Sequence, residues 1–199
     1  MKYLLIAALS LSCIAQPIWA QKKTKNTDKS PKTASVANRE TAVDTNEIQW
    51  ISMEELEAKM KTKPKMVLID FYTSWCGWCK VMDSKTYTHK ELIKYVNQHF
   101  YAVKFDAETK DVIKFYGKEY TFEQELRANR LAAEMMGGRM SYPTTVILGE
   151  NMSFVNPIPG YQRIDQMESI LKFFVEAYPK KTTWQDFQRE FKPSWAPGS

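Results

Sequence analysis

At 199 residues, 44% hydrophobic and 13% aromatic, the chain is long enough for one globular core and too apolar to be disordered throughout. Its formal charge of +5 is unevenly spread: residues 21–46 hold six Lys/Arg against three Asp/Glu, while the chain from Glu47 onward holds 21 against 20. The part able to fold therefore has no basic footprint for nucleic acid, and no nucleic-acid partner is expected.

Lys2, the thirteen-residue apolar run YLLIAALSLSCIA, Pro17 and small Ala20 read together as a secretory signal peptide over residues 1–20. The run falls short of the about 20 apolar residues a membrane span requires. LSLSC offers an alternative, lipid attachment at Cys13, weakened by Ser10 where such signals usually carry leucine. Cleavage leaves Cys76 and Cys79 as the two cysteines of a periplasmic or secreted protein, so their C-x-x-C is not one staple among several. Residues 21–46, mostly Lys, Thr, Ser and Asn, are expected to be a disordered linker.

A single domain is expected over residues 47–191, followed by a tail over 192–199. Ser52 and Glu55 form a capping box that opens a short helix, MEELEAKMK, closed by Pro64. KMVLIDFY is a near-continuous apolar run of strand length, as in a strand buried on both faces. A helix follows from the C-x-x-C through KVMDSKTY, then a second, KELIKYVNQ, capped by Thr88 with Glu91. FYAVKFD is the next buried strand, with Val103 and Phe105 on one face. DVIKFYGKEY reads as a hairpin turning at Gly117, and EQELRANRLAAEMM as a helix capped by Thr121 and Gln124 and ended by Gly137 and Gly138. TTVILG and SFVN are two antiparallel strands, IDQMESILKFFVEAY a long amphipathic helix, and Thr183 caps a last short one. The order predicts an α/β fold, helices around a mixed central sheet.

The segment LIDFYTSWCGWCK resembles the active-site segment of thioredoxin-fold disulfide oxidoreductases: a buried strand, Asp70, then Trp75-Cys76-Gly77-Trp78-Cys79-Lys80. SYPTTVIL resembles the segment whose cis-proline faces the disulfide, through Pro143, and PGYQ the glycine loop after the terminal hairpin, through Gly160. The likeness spans roughly residues 48–177. Two departures, Gly77-Trp78 in place of Gly-Pro and an extra hairpin and helix start around 107–128, look like bacterial exported thioredoxin-like proteins.

The resemblance implies a thiol–disulfide oxidoreductase, reductase or isomerase, acting on protein disulfides without cofactor. Cys76 would be the nucleophile at a helix N-terminus, where unpaired N–H groups stabilise a thiolate, exposed at the strand-to-helix turn. Cys79, a turn inward, would resolve the mixed disulfide. By the same resemblance Asp70, buried and raised in pKa, carries the proton of Cys79, and Lys104 lies near it. Pro143 would present the backbone of Tyr142 to a client, with Gly160 shaping the groove and Trp75, Trp78, Tyr142 and Tyr161 as an apolar rim. Trp78 in the proline's place predicts a more oxidising pair than in cytosolic thioredoxin. Expected partners are disulfide-bearing proteins and a redox partner thiol protein, membrane-embedded in one version, with the chain a monomer.

Two rivals stand beside this. A zinc site would need His89 and His99 with the cysteines, but their spacing of ten lies outside the usual interval. A client-binding module would keep Cys76–Cys79 as a permanent disulfide and dock partners through the same aromatic rim.

Overall fold

The computed structural model describes residues 46–195. The expected signal peptide, Cys13, the linker before Asn46 and residues 196–199 lie outside the described residues. The first elements are β1 (Trp50–Ile51), α1 (Met53–Thr62), β2 (Met66–Tyr72), α2 (Gly77–Lys85), α3 (Lys90–His99) and β3 (Phe100–Asp106). Two small hairpins follow, β4 (Ile113–Phe115) with β5 (Lys118–Tyr120), and β6 (Phe122–Glu123) with β7 (Ala128–Asn129). The remaining α-helices and strands are α4 (Arg130–Met135), β8 (Thr144–Leu148), β9 (Val155–Pro159), α5 (Ile164–Lys172), which continues as a π-helical turn over Phe173–Ala177, and α6 (Trp184–Glu190).

The main sheet runs β1-β3-β2-β8-β9, with β1, β3 and β2 parallel and β8 and β9 antiparallel to their neighbours. This is the mixed α/β architecture that the thioredoxin resemblance implies. Alternation along each strand sorts its residues between two cores. Val67, Ile69 and Phe71 of β2, with Val103 and Phe105 of β3, join Leu56 of α1 and Leu131 of α4. Leu68 and Ala102 point the other way, joining Met82 of α2, Leu92 of α3 and Leu171 of α5. The same alternation puts Asp70 and Lys104 on the α2 side, a polar pair on an otherwise apolar face.

Several boundaries differ from the sequence expectation. The α3 cap is His89, without a side-chain hydrogen bond, because the Thr88 hydroxyl instead donates back to the Ser84 carbonyl at 2.9 Å. The helix expected from Glu123 starts only at Arg130, where Asn129 caps it by accepting from the Leu131 N–H at 3.0 Å. The preceding residues form the second hairpin, turning through Arg127 at φ 51°. The insertion is thus two hairpins laid end to end.

The 192–199 stretch is not a free tail throughout. Ser194 and Trp195 donate backbone N–H groups to buried Glu168, each at 2.8 Å, and the Ser194 hydroxyl adds a third bond at 2.6 Å. Trp195 is buried in the α2-side core. The domain therefore reaches at least Trp195.

Candidate active site

Cys76 is the N-cap of α2, and its Sγ accepts the Cys79 N–H at 3.0 Å. The two sulfurs are joined in a disulfide. Capping by sulfur explains why a helix starts here without Ser, Asp or Asn: the helix's unpaired N–H groups lie directly against Cys76. Contrary to the exposed nucleophile expected, Cys76 is only 5% accessible and Cys79 is buried too. Side chains on either side, Trp75 and Trp78, are instead 65% and 62% exposed.

Each tryptophan is matched by a tyrosine from a different loop. Trp75 meets Tyr142 edge-on with ring centroids 5.9 Å apart, and Trp78 stacks on Tyr161 at 5.5 Å. The four rim aromatics are thus brought to the disulfide in two pairs. Tyr142 precedes Pro143 through a cis peptide bond. Gly160, at φ 91°, where a side chain would be disfavoured, donates its N–H to the Pro143 carbonyl at 2.7 Å. The two loops are also tied to α2, since the Thr86 hydroxyl donates to the Gln162 carbonyl at 2.7 Å. A Cβ on Gly77 would meet open space, so the residue between the cysteines faces outward.

Glu108 was not foreseen from the sequence. Its carboxylate accepts the Trp75 indole N–H at 3.0 Å, and burial, reinforced by the Glu108 and Asp106 charges, pushes the Tyr142 hydroxyl up to about 12. It sits just beyond β3, at the root of the insertion, where no spacing from the cysteines could flag it.

On the sheet face under α2 lies a polar row. Asp70 on β2 pairs in register with Lys104 on β3 and with Thr145 on β8. Asp70 is 1% exposed, and its Oδ2 accepts from Lys104 Nζ at 3.0 Å. Its Oδ1, the Tyr87 hydroxyl and Thr145 Oγ1 are buried with no full-strength hydrogen bond among the described residues, although the Tyr87 hydroxyl lies close enough to act weakly on both the Asp70 carboxylate and Thr145. Burial raises the Asp70 carboxyl above its ordinary value, against the opposing pull of Lys104. Burial also pushes Tyr87 well above the usual phenol range, reinforced by the Asp70 charge. Lys104 sits over the rings of Tyr72, Trp50 and Tyr87 at 5.0, 5.5 and 5.6 Å, and carries a second carboxylate, Asp83 of α2. His89 and His99 stand at opposite ends of α3, His99 against Tyr95 with ring centroids 4.4 Å apart.

Residues 39–157, more than half of the chain, match the family model Thioredox_DsbH, described as a protein of unknown function, DUF255. The chain belongs to this thioredoxin-like DsbH family. Among solved structures it is similar to a DsbH oxidoreductase, at 15% identity and TM-score 0.49 over 73% of this chain and 96% of that one. A thioredoxin-fold protein from Helicobacter pylori matches at 19% identity and TM-score 0.49, over 71% of this chain and 90% of that one. A thioredoxin from Thermus thermophilus matches at 18% and 0.47, over 65% and 88% respectively. No curated protein matches significantly. Family and site together give a thiol–disulfide redox protein of the thioredoxin kind.

Proposed function

We propose that this DsbH-family chain is a thiol–disulfide oxidoreductase of the cell envelope, working as a reductase or isomerase on protein disulfides. The observation that carries the reading is the Cys76–Cys79 disulfide at the start of α2, with a partly neutralised, buried Asp70 on the sheet face beneath that helix. A purely structural staple has no use for an only partly compensated carboxylate in a core.

In the reduced protein the Cys76 thiolate attacks one sulfur of a client disulfide. The client S–S bond breaks, and the departing client thiolate takes up a proton. Cys79 gives its proton to the Asp70 carboxylate, and its thiolate attacks Cys76 Sγ. The second client sulfur leaves as a thiolate, and two electrons have passed from the dithiol to the client. The aromatic rim and the Tyr142–Pro143 and Gly160 loops hold the client polypeptide across the site. A partner thiol protein, membrane-embedded where the compartment is oxidising, returns the electrons. The apolar start of the chain supports export.

Cys79→Ala tests this reading. An oxidoreductase with that change accumulates mixed disulfides on Cys76 and stops reducing insulin. A client-binding module holds the same partners without a covalent bond, and that result would replace the enzyme with the binder. Equilibration with glutathione tests the direction: a potential below that of cytosolic thioredoxin would remove the oxidising bias attributed to Trp78.

A further inference from the structure

Asp83 lies four residues after Cys79 on α2, so the two side chains occupy one helical face, a turn apart. Lys104 reaches across from β3 to both Asp83 and Asp70, forming ion pairs with each. One lysine therefore serves two carboxylates of very different exposure: Asp70 at 1% and Asp83 at 42%. The solvent-side carboxylate competes for the only cation among the described residues that compensates the buried one. The groups acting on Asp70 are Lys104 from β3, Asp83 from α2 and Tyr87 from the α2–α3 link, with neutral Thr145 in register on β8. Of these only Lys104 is cationic, and it is shared.

We infer that Asp83 is a positioning residue: by drawing Lys104 partly away from Asp70, it keeps the buried carboxylate a base able to take the Cys79 proton. This role rests on the oxidoreductase reading above. With Asp83 neutral, two effects act in the same direction. The like charge near Asp70 is lost, and Lys104 turns wholly to Asp70, so the buried carboxyl releases its proton more readily. Asp70 then remains ionised at lower pH, but it is a weaker base for the thiol.

The test uses Asp83→Asn, with Asp83→Glu as the variant that restores the charge. Asp83 is partly exposed near the end of its helix, so both variants keep the fold. The first readout needs no turnover: the Asp70 carboxyl is titrated in the oxidised protein by carbon NMR. Asp83→Asn is expected to shift that titration to lower pH and Asp83→Glu to return it. An unchanged or upward-shifted titration, as when Lys104 swings out to solvent with its partner gone, overturns the inference.

The second readout is single-turnover resolution of a thionitrobenzoate mixed disulfide on Cys76, followed by release of the second coloured thiolate. In Asp83→Asn the acid limb of its pH profile moves to lower pH while the plateau falls. A uniform loss at every pH would make Asp83 merely structural and sink the role. Wild-type protein that never resolves the mixed disulfide would refute the oxidoreductase reading and this role with it. In that case the carboxyl titration still reports whether Asp83 acts on Asp70, so the two failures are distinguishable.

Discussion

Replacing Asp70 by Asn should make the oxidised protein more stable near neutral pH and less active. Asp70 is 1% exposed; Oδ2 has Lys104 at 3.0 Å and Oδ1 accepts no full-strength bond from a described residue. A buried polar atom left unpaired costs about 1–3 kcal/mol, and more when the group is charged. An asparagine keeps an acceptor for Lys104 and turns its amide toward the Tyr87 hydroxyl and Thr145 Oγ1, neither of which makes a full-strength hydrogen bond of its own. Lys104 also retains Asp83. The expected gain is about 1–3 kcal/mol, or about 2–10 °C in Tm for a domain of this size. The sign follows from the direction of the Asp70 shift, which burial drives upward. Between the ordinary carboxylate value and the raised one, the folded protein holds a proton that the unfolded chain has released. The wild type therefore loses stability as pH rises through that window, and the variant does not. Urea unfolding of both oxidised proteins at about pH 8 and about pH 4 reads this directly, with the gain present at the higher pH and absent at the lower. The same variant slows Cys79 attack on the mixed disulfide by about 100-fold, since the proton acceptor is gone. A wild type as stable as the variant at the higher pH, or a gain independent of pH, would refute the argument that Lys104 only partly offsets the burial of Asp70.

The remaining expectations concern the rim and the C-terminal clasp. Trp75→Phe removes the indole N–H that Glu108 accepts at 3.0 Å, at an exposed position. Stability should stay within about 0.5 kcal/mol of wild type, while KM for reduced-insulin formation rises about 3–10-fold; an unchanged KM contradicts a role for the rim in client docking. Glu168→Ala leaves the N–H groups of Ser194 and Trp195 and the Lys172 ammonium without their shared acceptor. That should cost about 2–4 kcal/mol in urea unfolding and expose Trp195 to fluorescence quenchers. Burial works against the Glu168 charge, yet the bonds from Lys172, Ser194 and Trp195 outweigh it and hold the carboxyl below its ordinary value. The clasp's contribution is thus present above the ordinary carboxylate range and lost as pH falls through the depressed value.

What the sequence made legible follows the range over which each signal acts. Ser52 with Glu55, Pro64, Gly117 and the Gly137-Gly138 pair act within a few residues, and each marks the boundary expected of it. The near-continuous apolar run VLIDF identified a buried strand, but only the strand's geometry in the fold sets Asp70 on the face opposite Val67, Ile69 and Phe71 and so under α2. The misplaced start of α4 has a local cause of another kind. Residues Glu123 to Asn129 have good helix propensity, but Arg130 donates its N–H back to the Thr121 carbonyl and closes a hairpin in their place, a pairing no helical period reveals. Likewise β1 is two residues long and exists only because Trp50 and Ile51 find Ala102 and Val103 fifty-two positions on. Glu108 and Asp83 belong to the same class. Each is an ordinary surface carboxylate in the sequence, and each acquires meaning only when the fold sets an indole or a shared lysine beside it. Charges that tune a buried site from its edge are therefore the part of such a centre least visible in a linear chain, since nothing in their own neighbourhood requires them to be there.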